Sequence, residues 1–123
     1  MIQGIALGDI LLDCADEQKL ARFYADLLGW ELTELYDHAA VRRADGLVFL
    51  FVQEEDYVPP VWPEEPGRQQ KQLHFDFQVP DVTSAVREAE ALGATRTAQQ
   101  FGGPYFVTML DPAGHPFCLC KAD

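Results

Sequence analysis

The sequence contains the same pattern twice. DILLDCADEQKLARFYADLLGW begins at Asp9 and HFDFQVPDVTSAVREAEALGA begins at His74; each reads as an extended segment, an Asp, an amphipathic helix and Leu-Gly. Asp16 and Asp81 are 65 residues apart, Gly29 and Gly93 are 64 apart, and one residue is therefore lost inside the helical part. Self-similarity at a fixed spacing marks a repeated structural unit. Two such units fill the 123 residues, which constrains the fold more than any composition does.

In the first copy Leu20, Phe23, Tyr24, Leu27 and Leu28 follow the i, i+3, i+4, i+7, i+8 stripe of an amphipathic helix. Asp16 is placed to cap its start and Gly29 to stop it in the left-handed conformation. The second copy repeats this with Asp81, a stripe of Val82, Ala85, Val86, Ala89 and Leu92, and Gly93. Three strand-like runs follow each helix, over roughly 30–36, 39–44 and 47–53, then roughly 94–100, 104–110 and 116–121. Asp45-Gly46, Gly102-Gly103-Pro104 and Asp111-Pro112-Ala113-Gly114 supply turns between them. Each half reads βαβββ, and the chain reads as an α+β fold. The expected organisation is one domain over 1–123, with a first module at 1–53, a connector at 54–72 and a second module at 73–123. The connector carries Pro59, Pro60, Pro63 and Pro66 with five acidic residues, and is either a linker or a functional flap.

Alternation along the strands predicts their faces. Leu73, Phe75, Phe77 and Val79 share one face of the fifth strand; His74, Asp76 and Gln78 share the other. The fourth strand opposes Val48, Leu50 and Val52 to Phe49, Phe51 and Gln53, and the last opposes Phe117 and Leu119 to Cys118 and Cys120. On the 65-residue offset Asp9 maps onto His74 and Gln53 onto Cys118. These four are expected to converge on one hollow from the first, fourth, fifth and eighth strands.

Nine basic against twenty acidic residues give a net charge of −11. Phosphate contacts need Lys and Arg, so nucleic acid and anionic membrane surfaces are excluded as partners, whereas cationic ligands are attracted. The start MIQGIALGDILLD lacks a positive leader region, and Asp9 and Asp13 break its apolar run; it reads as neither signal peptide nor membrane span. Cys14, Cys118 and Cys120 are too few and too oddly spaced for a disulfide framework, a zinc knuckle or a thioredoxin motif, which points to a reducing, cytoplasmic setting. No glycine loop opens a helix to cradle phosphate, and neither Gly-x-Ser-x-Gly nor His-Glu-x-x-His occurs.

Chemistry is therefore sought on the polar face. His74 reads as a metal ligand, as an acid or base oriented by Asp76, or as a simple hydrogen-bonding residue. Asp9 and Asp13 read as cleft carboxylates or as solvated groups at its mouth. Cys118 and Cys120 read as small apolar fillers. Trp62 and Tyr57 in the connector, with Phe101, Tyr105 and Phe106 around the Gly-Gly-Pro turn, read as linker packing or as an aromatic wall suited to a flat, partly cationic molecule.

FYADLLGWEL (23–32), HFDFQVPD (74–81), Ala-Leu-Gly-Ala (91–94) and DPAGHPFCL (111–119) resemble the vicinal oxygen chelate superfamily, which includes glyoxalase I, bleomycin-resistance proteins and extradiol dioxygenases, and look most like its glyoxalase-like branch. The resemblance implies two βαβββ modules forming a curved mixed sheet with a concave cleft and helices outside. It also implies a ligand in the cleft and a homodimer. In the family's metal enzymes the four ligand positions are usually His and Glu; carried over, they fall on Asp9, Gln53, His74 and Cys118, of which only His74 keeps the usual type. The leading expectation is a small-molecule-binding protein with a degenerate or absent metal site, drug sequestration of the bleomycin-resistance type being one version. Its ligand would lie among Asp9, Leu11, Phe51, Gln53, Trp62, His74, Asp76, Tyr105 and Cys118. The alternative is an enzyme: a lyase, isomerase or dioxygenase with a divalent metal on Asp9 and His74, or a metal-free enzyme in which His74 or Asp76 moves a proton.

Overall fold

The computed structural model describes residues 1–122. Its elements run β1 (Asp9–Cys14), α1 (Glu17–Leu28), β2 (Glu31–Leu35), β3 (His38–Arg42), β4 (Val48–Gln53), β5 (Phe75–Val79), α2 (Val82–Leu92), β6 (Thr95–Arg96), β7 (Phe106–Leu110) and β8 (Pro116–Lys121). The strands form two four-stranded sheets of order β1-β4-β3-β2 and β5-β8-β7-β6. In each, the pair that spans the helix is parallel and the others are antiparallel. The architecture is α+β, built of two βαβββ units, and the chain divides into compact units at Tyr57/Val58.

In the first unit the Asp16 side chain accepts from the Lys19 N–H at 3.1 Å and Gly29 ends α1 at φ 69°, as their residue types require. α1 buries Leu20, Phe23 and Tyr24. Tyr24 stacks on Phe51 with centroids 5.7 Å apart and meets Phe49 edge-on at 6.1 Å. Glu17, at the start of α1, gathers three partners: His38 Nδ1 at 3.0 Å, the Ala39 N–H at 2.6 Å and the Gln53 N–H at 3.3 Å. Burial works to raise the Glu17 pKa, but these hydrogen bonds outweigh it and hold the carboxyl below its ordinary value. Leu35 pairs with His38 across a two-residue turn in which Tyr36 and Asp37 both take positive φ, the geometry that matches hairpin twist.

In the second unit Asp81 accepts from the Ser84 N–H at 3.3 Å and Gly93 closes α2 at φ 117°. α2 buries only Val86 and Ala89, and the core continues through Phe77 against Phe117 at 5.9 Å and through the fully buried Met109. The ladder of β5 starts at Phe75, so Leu73 stands outside it and is 63 % exposed, contrary to the sequence expectation. β6 is two residues long instead of seven because Gln100 takes over its role. Its carboxamide accepts from the Thr108 N–H at 2.8 Å and donates to the Thr108 C=O at 2.9 Å, as a strand residue's backbone would.

The register corrects the placement of two candidate site residues. Residues paired across a ladder share a face. Leu11 pairs with Leu50, and Leu50 with Ala40; Asp76 pairs with Cys118, and Cys118 with Thr108. The counterpart of Cys118 is therefore Leu50 and not Gln53. Leu50 lies 21 residues beyond Gly29, whereas Cys118 lies 25 beyond Gly93, so the constant offset fails after the helix. Phe51 and Gln53 fall on the helix side. Phe51 is fully buried against Tyr24, and Gln53 Oε1 accepts from the Glu17 N–H at 3.2 Å.

Candidate functional site

The second sheet presents two rows of side chains on the face away from α2. Asp76, Cys118 and Thr108 form one row across β5, β8 and β7; Gln78, Cys120 and Phe106 form the next. His74 joins from the residue before β5, its Nε2 3.5 Å from Asp76 Oδ1. His74 and Asp76 are 42 % and 62 % exposed at their side chains, while Cys118 is buried between them and Thr108. The Thr108 hydroxyl lies 3.4 Å from Cys118 Sγ. Burial pushes the Cys118 thiol pKa up; Asp76 adds to the rise, and the Thr108 hydrogen bond and the positive charge of Lys71 oppose it. Burial, with Asp76 and Cys118 nearby, pushes Cys120 up as well. Both are thiols at neutral pH, in keeping with their reading as small fillers.

An aromatic group belongs to the same unit. Trp62 meets Phe101 edge-on at 6.2 Å, and Lys71 Nζ sits 4.3 Å over the Trp62 ring while bonding Glu64 Oε1 at 2.7 Å. Trp62 Nε1 is buried without a hydrogen-bond partner. Phe101 and Tyr105 are 63 % and 68 % exposed on either side of the Gly-Gly-Pro turn, where the Tyr105 N–H bonds the Gly102 C=O at 2.9 Å. Gly102 has no room for a side chain: a Cβ there would lie 2.3 Å from the Phe106 carbonyl oxygen.

These shapes have relatives. A family model described as a glyoxalase-like domain matches residues 9–120. The chain belongs to the glyoxalase-like domain family. Solved structures of the glyoxalase-like fold include the fosfomycin resistance protein FosX from Listeria monocytogenes, 19 % identical, covering 100 % of this chain and 96 % of its own, with a TM-score of 0.68. A glyoxalase/bleomycin resistance protein/dioxygenase family enzyme from Burkholderia phytofirmans PsJN is 15 % identical over 93 % of this chain and 96 % of its own, at 0.69. TnmS3, an antibiotic binding protein from Streptomyces sp. CB03234, is 14 % identical over the whole of both chains, at 0.60. No curated protein matches significantly. At these identities the solved structures establish the fold.

Within this glyoxalase-like chain the candidates separate. His74, Asp76 and Cys118 come together, with one donor atom from each lying within 4.8 Å of the others. Asp9 and Leu11 stand on the face of the first sheet away from α1, paired with Val48 and Leu50. Gln53 has its side-chain oxygen committed to α1. Of the four positions to which the resemblance carries metal ligands, Cys118 lies beside His74, and Gln53 is turned to the helix. Sequence reading missed Thr108, Gln100 and Lys71. Thr108 had a signal, since it alternates with Val107 and Met109 on β7; Lys71 had none, being one cation in an acidic connector. Among the described residues no helix is long and apolar enough to cross a membrane.

Proposed function

We propose that this protein binds a flat organic molecule bearing a positive charge, on the open face of its second module. The observation that carries the reading is an exposed carboxylate, Asp76, over a buried polar floor, with an aromatic pair of Trp62 and Phe101 in the same module linked to that floor by Lys71, which lies over Trp62 and whose charge acts on Cys118. The ring face of Trp62 already accepts one cation, Lys71, which is the chemistry a cationic ligand would use. A buried unpartnered donor such as Trp62 Nε1 is uncommon and costs on the order of 1–3 kcal/mol; an acceptor on the ligand, reached by a small shift of the loop, would remove that cost. The net charge of −11 favours a cation over an anion. Structures of this fold include an antibiotic binding protein, so antibiotic sequestration is the concrete form of the proposal. We place it in the cytoplasm, where its three thiols stay reduced, and as a homodimer, which sedimentation tests.

The test is titration of the protein with planar cationic, neutral and anionic aromatic molecules, read by tryptophan fluorescence. Saturable binding of the cations is expected, weakened about tenfold or more in Asp76→Asn and Trp62→Ala, since one desolvated contact is worth roughly 1–3 kcal/mol. No binding of any cation, or equal binding of anions, overturns the reading. The His74–Asp76 approach of 3.5 Å supports a second one, in which His74 moves a proton for a metal-free reaction; a bell-shaped pH–rate profile lost in His74→Ala would establish it.

A further inference from the structure

We propose that the ring face of Trp62 and the carboxylate of Glu64 form a receptor for a protonated amine, and that Lys71 is its resident occupant, displaced by the charged end of an incoming ligand. The inference rests on the cation-binding reading above and narrows the class of cation to an ammonium that keeps at least one N–H.

The geometry already shows an ammonium being recognised. Lys71 Nζ lies 4.3 Å above the centroid of the Trp62 ring and donates to Glu64 Oε1 at 2.7 Å. Its side chain is only 20 % exposed, unusual for a lysine, whose head group normally stays in water. The three residues belong to one loop that is closed on itself. The Val61 N–H donates to the Gln69 C=O at 2.9 Å, the Arg68 N–H donates to the Glu65 C=O at 3.2 Å, and Gly67 turns the chain at φ 76°. Phe101 meets Trp62 edge-on at 6.2 Å and adds exposed ring surface beside the ammonium. The other tryptophan differs. Arg43 lies 5.7 Å over Trp30, but its guanidinium is forked onto Asp45, two residues away, and the Trp30 ring packs on Phe49 at 4.8 Å.

Two contacts select the guest. The ring attracts any cation. The carboxylate needs an N–H donor, so a quaternary ammonium stacks on Trp62 and leaves Glu64 unanswered, whereas a primary amine satisfies both. Lys71 then sets the threshold. A competitor on a short tether acts at an effective concentration on the order of millimolar. An ammonium that merely replaces that of Lys71 remakes the same two contacts and gains nothing. Affinity must come from the part of the ligand that Lys71 lacks, a planar body laid against Phe101. The displaced lysine keeps a counter-charge within reach, because its charge and that of Asp76 both act on the Cys118 thiol. Lys71 is thus a specificity-determining residue: it excludes small amines and admits those that carry an aromatic body.

Titration of the protein with naphthylethylammonium, its trimethylated quaternary counterpart and the neutral naphthylethanol tests the inference. The indole N–H resonance of Trp62 follows binding, and that of Trp30 is the internal reference. The primary ammonium is expected to bind Lys71→Ala about fivefold or more tightly than the parent, since removing the occupant frees the whole population for the ligand. Lys71→Arg, which restores an occupant, should bind no more tightly than the parent. Lys19→Met, which removes the same charge from an exposed position on α1, should match the parent. In the Lys71→Ala background the quaternary cation should bind about tenfold less tightly than the primary one, and Glu64→Gln should abolish that preference. The alcohol should gain nothing from Lys71→Ala. Equal affinity of parent and Lys71→Ala, the same gain in Lys19→Met, or a quaternary cation bound as well as the primary one overturns the inference while binding by the parent still upholds the cation reading. Binding by Lys71→Ala and not by the parent establishes the amine receptor and overturns that reading; binding by neither overturns both.

Discussion

Leu11, Leu50 and Ala40 form in the first sheet the row that Asp76, Cys118 and Thr108 form in the second. The backbone positions correspond; the chemistry does not. The first row is apolar, and Leu50 and Ala40 belong to a buried cluster with Val48. The second row carries a carboxylate, a thiol and a hydroxyl. The helix sides differ in the opposite sense. α1 buries a large aromatic system around Tyr24, whereas α2 buries one Val and one Ala. Repetition of a unit thus supplied two equal frames, and the side chains divided the work: the first module concentrates packing, the second concentrates polar groups.

The sharpest way to break this comparison is to weaken the packing module. Phe51→Ala should cost about 3–5 kcal/mol, because it empties a fully buried site stacked on Tyr24; urea unfolding measures it. A cost below about 1 kcal/mol would mean that the aromatic system is not what holds the first module together.

Next in size is Gln100→Ala, expected to cost about 1–3 kcal/mol by stripping the buried Thr108 N–H of its acceptor. The same variant should loosen the Cys118 floor and raise hydrogen exchange along β7.

A smaller effect belongs to Glu17. Its folded pKa is lowered, so its contribution is fully present above the ordinary carboxylate value of 4.5 and is lost as pH falls through the folded pKa. Glu17→Gln should therefore trail the parent by on the order of 1 kcal/mol at neutral pH. The gap should close below pH 4.5, as denaturation midpoints followed across pH would show. The smallest effect is expected of Leu11→Asp, which writes the second module's carboxylate into the first. Leu11 is 56 % exposed, so stability should shift by no more than about 0.5 kcal/mol, read as a denaturant midpoint.

The repeat, both helices and their caps were legible because local chemistry decides them: Asp16, Gly29, Asp81 and Gly93 each do what their residue type permits. Both polar-face rows were partly legible, since His74, Asp76 and Gln78 alternate with Phe75 and Phe77. The error lay in carrying one offset through loops of unequal length. One residue is lost in the helix and four are added between Gly93 and Cys118, so the offset moves from 65 at Asp9/His74 to 68 at Leu50/Cys118, and an odd net shift of three turns each side chain to the other face. That is why Phe51 and Gln53 were expected with Asp9 and are found with Tyr24 and Glu17. The shortness of β6 was illegible for another reason: Gln100 reads as a surface residue, and nothing local announces that its amide bonds a backbone eight positions away.

Gln100 has a consequence for how this sheet can change over time. Ordinary ladder rungs join main-chain atoms, which every amino acid carries, so substitution leaves them in place. At Thr108 the N–H is answered by a side chain, Gln100, while its C=O also accepts from the Thr97 N–H; the N–H half of this rung is therefore heritable information. A single codon change can erase it, and the margin of the sheet can drift faster than its centre.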